Sequence, residues 1–240
     1  MAETTTRLTT AMILAAGRGE RLRPLTDHTP KPLIEVGGKP LIEHHLERLA
    51  AAGIERVVIN LAHLGDQIRA HLGEGERWGV AIEYSVEGER AEDALETAGG
   101  IRQALDRLGE RFLLVNGDVL SDIDYATLAN RRLGADCRFH LVLVDNPPHN
   151  PGGDFALDET GRLVEGESTA ALTYSGIGLF DAALFTDLPP GRQALGPVLR
   201  TAIANGLGCA QHHPGEWLDV GTPERLAEAD RRLRHHSGDQ

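Results

Sequence analysis

Short runs that are apolar at every position alternate with helical stripes along the first half of the chain. Ala11-Met12-Ile13-Leu14 leads into Ala15-Ala16-Gly17, the pattern of a strand buried on both faces that ends in a glycine turn. From Pro40 the apolar positions are Leu41, Ile42, Leu46, Leu49 and Ala52, with His45 on the same stripe. This spacing predicts a helix with proline in its first turn and Gly53 as its C-cap. Residues 56–60 predict the next strand, 65–72 a short helix, 80–86 a third strand, 97–108 a helix and 112–116 another apolar strand. Doubly buried strands alternating with helices predict parallel strands in a three-layer α/β sheet. Past Gly117-Asp118 the alternation loosens. Strands are predicted over 137–144 and 174–180, with a hairpin over 153–164 that turns at Glu159-Thr160-Gly161. A helix over 195–205, a short strand over 217–220 and a closing helix over 223–234 follow. No linker-like run and no internal repeat divides the 240 residues, so 1–240 reads as one domain.

Composition narrows the function classes. No segment approaches the roughly 18 apolar residues of a membrane span, and the polar start through Thr10 is unlike a signal peptide. A formal charge of −12 argues against binding a nucleic acid polymer, which needs a basic face. Cys137 and Cys209 lie far apart without a CxxC partner, so neither a disulfide framework nor a zinc knuckle is expected; a cytoplasmic location is. The histidine pairs His212-His213 and His235-His236 have the wrong spacing to chelate jointly on a strand. The Arg- and His-rich stretch 231–236 reads as a solvated helix end. One count is sharper: 24 basic residues include only two lysines, Lys31 and Lys39, each in a K-P-L-I string.

Candidate chemistry concentrates just after the first strand. Leu14 to Thr26 reads L-A-A-G-R-G-E-R-L-R-P-L-T and is soon followed by T-P-K-P-L. A glycine turn there lets backbone N–H groups approach a phosphate. Arg18, Arg21, Arg23 and Lys31 put four cations within 14 residues of an acidic protein, a focused anion site. The string is not a dinucleotide fingerprint, because Leu22 stands where the third glycine belongs and Asn60 ends the second strand in place of an acid. It also lacks the G-K-[ST] ending of a Walker A loop. A second constellation is a pair of carboxylates in matching settings. Asp118 follows a buried strand and a glycine, and Asp219 sits between Trp217 and Gly221, 101 residues later. Mg²⁺ takes one or two carboxylates together with phosphate oxygens and water, so such a pair beside a phosphate loop favours a shared Mg²⁺.

G-x-G-x-R-L-x-P-L-T with P-K-P-L resembles the signature of the nucleoside-diphosphate-sugar pyrophosphorylases, the sugar-1-phosphate nucleotidyltransferases. The likeness continues in E-T-A-G-G at 96–100, V-N-G-D at 115–118 and W-L-D-V-G-T-P-E at 217–224. V-D-N-P at 144–147, G-D-F at 153–155 and the short length are most similar to the members that serve peptidoglycan recycling. The resemblance implies a single-domain, three-layer, Rossmann-like (GT-A-like) nucleotidyltransferase fold with a mixed, mostly parallel sheet. It implies a nucleotide-binding half over 10–120 and a sugar-phosphate-binding half over 121–240. It also implies an enzyme that joins a nucleoside triphosphate, with UTP expected, to a sugar 1-phosphate and releases pyrophosphate. Arg21 is expected on the β- and γ-phosphates and Lys31 on the α-phosphate, with Asp118 and Asp219 on Mg²⁺. Leu14, Ala15, Ala16, Gly17, Arg18, Gly19, Thr97, Ala98, Gly99 and Asn116 are expected around the nucleotide. Glu87 ends the third strand, where the family reads the base. A carboxylate only accepts hydrogen bonds, so it suits uracil N3–H or the paired donors of guanine. Many members carry a sugar-phosphate lysine in E-K-P after the central hairpin. Here Val164-Glu165-Gly166-Glu167-Ser168 has none, and a lysine expected near Ala194 is missing too. Arg192 is the expected substitute, with Gly153, Asp154 and Glu165 toward the sugar. A non-catalytic sugar-nucleotide sensor is disfavoured because Arg21, Lys31 and both aspartates are all present. The expected partners are small molecules, for a monomer or small homo-oligomer.

Overall fold

The computed structural model describes residues 7–164 and 171–237. The chain begins with β1 (Thr10–Leu14), a small hairpin of β2 (Glu35–Val36) and β3 (Lys39–Pro40), and α1 (Leu41–Ala51). It continues through β4 (Arg56–Leu61), α2 (Gly65–Leu72), β5 (Ala81–Val86), α3 (Glu96–Leu108), β6 (Arg111–Asn116) and β7 (Val119–Ser121). The second half holds α4 (Tyr125–Ala129), β8 (Phe139–Val144), the hairpin β9 (Ala156–Leu157) and β10 (Leu163–Val164), and β11 (Thr173–Asp181). It closes with α5 (Leu195–Ala204), β12 (Gly208–His213), β13 (Trp217–Asp219) and α6 (Pro223–Ser237).

Seven strands form one sheet in the order β12-β8-β11-β6-β1-β4-β5. Only β11 runs against the rest, antiparallel to both β6 and β8. Alternate residues of each strand face opposite layers, and both layers are apolar. Met12, Val58 and Leu114 pack with Ala98, Ile101 and Ala104 of α3 and Leu199 of α5. Ile13, Ile59 and Val115 pack with Ile42 and Leu46 of α1, Ile68 of α2 and Leu128 of α4. Full burial of each such side chain contributes roughly 1.5–3 kcal/mol, which is why these strands carry no polar alternation. The result is the three-layer α/β sheet that the apolar runs predict, in the mixed, mostly parallel form that the resemblance implies.

Five elements lie outside the sequence prediction: the two-residue hairpin strands β2 and β3, together with α4, β7 and β12. α4 is too short for a helical period to show, β7 follows a turn and pairs only with β13, and β12 is a partly polar edge strand beside β8. The expectation of two unpaired thiols is also corrected: Cys137 and Cys209 form a disulfide with Cα atoms 6.1 Å apart. The cause is topological. Cys137 enters β8 and Cys209 lies in β12, and these strands are neighbours in the sheet although 72 residues separate the cysteines.

Parallel strands end on one edge of a sheet, and ligands bind in the crevice at that edge. Here it gathers the loops after β1, β4, β5, β6 and β8. β13 comes to the same place by pairing with β7, where Asp219 lies opposite Val119 and the Val220 N–H donates to the Asp118 carbonyl at 2.7 Å. α6 is fixed behind it by Val36, Leu41, Val220 and Ala229, and by the Gly37 N–H donating to Asp230.

Candidate active site

A cleft of about 440 Å³ opens at the carboxyl edge. Its floor is Leu14, Ala15, Ala16 and Gly17, with Gly19 and Arg21 beyond. Gly19 takes φ +69°, and a Cβ there would press on Thr26 and Lys31, so the residue that bends the loop also makes room for the lysine. The four cations of the loop have different tasks. Arg18 pairs with Glu20 and Asp27, and Arg23 pairs with Asp27. Arg21 is exposed, lines the cleft and makes no ion pair among the described residues. Lys31 lines it too, 12% exposed, with Nζ 2.5 Å from Asp118 Oδ2. Lys39, its twin in sequence, instead pairs with Glu47 on the surface of α1. Of the segment's cations, only Arg21 and Lys31 face the cleft.

Asp118 and Asp219 stand at the ends of the paired strands β7 and β13. Asp219 Oδ1 lies 3.0 Å from Arg225 Nη1 and 3.2 Å from His149 Nε2, yet it is buried and accepts no aligned hydrogen bond. No group of three metal-ligating side chains occurs among the described residues. A buried carboxylate oxygen that has ion-pair neighbours but no aligned hydrogen bond, beside a second carboxylate and a phosphate-type loop, fits Mg²⁺, which completes its shell with water and phosphate oxygens. It does not fit a zinc-type cage.

The opposite wall is a chain of hydrogen bonds. The Ala15 N–H donates to Asn60 Oδ1 at 2.7 Å, Asn60 Nδ2 donates to Glu87 Oε1 at 2.8 Å, and the Leu95 N–H donates to Glu87 Oε2 at 2.7 Å. Burial pushes the Glu87 carboxyl above its ordinary range, and these two donors partly offset the shift. Glu87, Asn60, Asn116, Glu96 and Thr97 line the cleft. Glu96 opens α3 with φ +60°, a left-handed conformation that non-glycine residues seldom adopt. Ala98 and Gly99 do not line the cleft. Their N–H groups donate to the Gln193 carbonyl, and a Cβ on Gly99 would strike the Gly191 carbonyl. Their smallness therefore docks the loop at 191–193 on the start of α3. Arg18 likewise stays outside the lining.

Toward the second half, the expected sugar-side residues separate. Asp154 accepts from the Tyr174 N–H and from Asn150, while Gly153, at φ +65°, packs on Ala171. Arg192 donates through Nε to Glu96 at 2.8 Å and is two-thirds exposed. None of the three lines the cleft, and Glu165 lies outside the described residues. Four residues that matter were not singled out from the sequence. Asn60 ties the glycine loop to Glu87; its signal is an amide ending the apolar strand Val57-Val58-Ile59. Gly221 lines the cleft where Arg21 and Arg225 meet, and His149 and Arg225 flank Asp219. No spacing in the sequence joins these last two.

The nucleotidyl transferase family model matches residues 10–236, and the chain belongs to that family. It is a nucleotidyltransferase enzyme. The N-acetylmuramate alpha-1-phosphate uridylyltransferase of Neisseria meningitidis serogroup B is 52% identical over 224 residues, covering 91% of this chain and 96% of the relative. The enzyme of the same name from Caulobacter vibrioides is 35% identical, covering 93% and 96%. A mannose-1-phosphate guanylyltransferase of Mycobacterium tuberculosis is 33% identical, covering 96% and 68%. Among solved structures, HddC from Yersinia pseudotuberculosis complexed with GMP-PN superposes with a TM-score of 0.77 at 22% identity, over 94% of this chain and all of the other. That likeness shows the fold.

No helix among the described residues is long and apolar enough to cross a membrane.

Proposed function

We propose that this protein transfers the UMP group of UTP to N-acetylmuramate 1-phosphate, releasing pyrophosphate, as a cytoplasmic enzyme of peptidoglycan recycling. The observation that carries the reading is the convergence on one cleft of a glycine loop, Arg21, which makes no ion pair among the described residues, and the Lys31–Asp118 pair, with Asp219 outside the lining but next to Gly221, which lines it. The names of the two uridylyltransferase relatives supply the sugar and the base.

The sugar phosphate is already anionic at neutral pH, so its oxygen needs no general base to attack the α-phosphorus in line. Catalysis then rests on alignment and on neutralising charge. Backbone N–H groups of 16–19 receive the triphosphate, Arg21 holds its β- and γ-phosphates, and Lys31 bridges the α-phosphate and the incoming phosphate. Asp118 and Asp219 would hold Mg²⁺, which when bound supplies further charge neutralisation on the phosphates. Glu87 accepts from uracil N3–H, while Asn60 and the Leu95 N–H keep the carboxylate oriented. The nucleotide occupies the half over 10–120 and the sugar phosphate the half over 121–240, with Gly153, Asp154, Glu165 and Arg192 on the sugar side. The substrates are small molecules, handled by a monomer or small homo-oligomer.

One observation favours a second reading. Guanine presents two donors that a carboxylate accepts as readily, and a guanylyltransferase stands among the relatives. Pyrophosphate release with each NTP against N-acetylmuramate, N-acetylglucosamine, glucose and mannose 1-phosphates separates the two. UTP with N-acetylmuramate 1-phosphate is expected to be fastest. Fastest release from GTP with mannose 1-phosphate would replace this reading by the second, and no release with any pair would remove both.

A further inference from the structure

Arg225 stands at the start of α6, six residues beyond Asp219, and its side chain is only 15% exposed. Its Nη1 approaches Asp219 Oδ1 at 3.0 Å and the ring nitrogens of His149 at 2.8 and 2.9 Å. Its Nε and Nη2 are buried and have no hydrogen-bond partner. These two atoms form the side-on edge of the guanidinium, the edge that grips a carboxylate or phosphate with two parallel N–H···O bonds. An arginine placed only to neutralise Asp219 would need no second edge. Gly221 locates that edge. It lines the cleft, while Arg225 itself lies behind that lining, and a Cβ on Gly221 would strike Arg225 Nη2 and lie 2.8 Å from Arg21 Nη2. The other candidate cation of the second half, Arg192, is paired with Glu96.

We propose that the Nε/Nη2 edge of Arg225, with His149 beside it, is an anion-binding site for the sugar substrate. The inference rests on the reading of the protein as a sugar-1-phosphate nucleotidyltransferase. The ligand chemistry is a pair of anionic oxygens, which N-acetylmuramate 1-phosphate offers twice: on its phosphate and on the carboxylate of its lactyl ether. His149 is 40% exposed and has both ring nitrogens within 2.9 Å of Arg225 Nη1, so an anion arriving at the guanidinium meets the imidazole beside it.

The test is steady-state pyrophosphate release by the full chain at saturating UTP and Mg²⁺. N-acetylmuramate 1-phosphate is compared with N-acetylglucosamine 1-phosphate, which lacks only the lactyl group. Arg225→Ala is expected to raise the sugar KM about 10- to 100-fold, the scale of a lost charge-assisted pair, while the UTP KM stays within about twofold. Arg225→Lys keeps a charge for Asp219 but not the fork, so it should fold like the wild type and recover only part of the loss. His149→Ala should raise the sugar KM by a smaller factor. Equal loss with both sugars assigns the edge to the phosphate, and loss confined to the muramate assigns it to the carboxylate. A sugar KM unchanged in both Arg225 variants, with only the Mg²⁺ requirement moved, overturns the proposal and leaves Arg225 as a support for Asp219. Absence of release by the wild type with either sugar would overturn the functional reading itself, in an arm separate from the variants.

Discussion

Lys31 and Glu87 occupy opposite walls of the cleft, and each is fixed by partners that define its task. Lys31 contacts Asp118 from a nearly buried position, so its ammonium is held in place where we propose the phosphates to bind. Lys31→Ala should lower kcat by about 10²–10³, the range for losing one preorganised donor, with little change in thermal stability. Turnover near that of the wild type would remove Lys31 from the mechanism. Glu87 has a donor on each oxygen, and its remaining lone pairs are what a base can use. UTP should therefore outrun CTP by about tenfold to over a hundredfold, because cytosine N3 is an acceptor facing a carboxylate. Glu87→Gln should narrow that gap. It should also lower the melting temperature, since one amide hydrogen must face either Asn60 Nδ2 or the Leu95 N–H. An unchanged UTP/CTP ratio in the variant would place Glu87 outside base selection. The string around Lys31 made the lysine legible from sequence, and the strand end made Glu87 legible. The division of labour among Arg18, Arg21, Arg23 and Lys31 was not, because it depends on which of them Glu20 and Asp27 can reach.

At the scale of elements, α3 shows how small residues divide between stability and function. The helix was legible from its apolar stripe, and its glycine-rich start suggested close approach of a ligand. The loop at 191–193 occupies that space beside Ala98 and Gly99, a contact between residues almost a hundred positions apart that no local pattern records. Adjacent glycines therefore make different predictions. A Cβ at Gly99 would meet the Gly191 carbonyl, so Gly99→Ala should cost about 1–3 kcal/mol of stability by undocking the loop. A Cβ at Gly100 would strike Glu87 Oε1, so Gly100→Ala should raise the UTP KM more than the sugar KM. Chemical denaturation and substrate kinetics on the two variants check this. Equal effects of both changes on UTP KM would contradict the separation.

Across the whole molecule, the layered sheet was readable because doubly buried strands leave unmistakable apolar runs. The pairing of β12 with β8, and hence of Cys209 with Cys137, was not readable, because register between distant strands leaves no mark in either segment. The same packing buries two histidines. Burial pulls the His45 pKa down to about 3 and the His140 pKa down to about 4. Both stay neutral in the folded chain but take a proton near pH 6.5 when unfolded. Folded pKa values below unfolded ones confer stability that is complete above that pH and lost as the pH falls toward the folded values. Between about pH 5.5 and 4 the wild type should lose about 1.4 kcal/mol more per pH unit than His45→Gln. Urea titrations across that range would show it, and parallel losses in the two proteins would contradict it. The fold's largest consequence is to set Asp118 and Asp219, 101 residues apart in sequence, at adjoining ends of β7 and β13. We propose that they act as one metal site. Mn²⁺ binding in the presence of UTP, followed by paramagnetic resonance, tests this directly in Asp118→Asn, Asp219→Asn and the double variant. If the two carboxylates share one ion, each single change should weaken binding by about tenfold or more, and the double change should add less than the product of the two. Unchanged binding in either single variant, or independent multiplicative losses, would contradict the shared site.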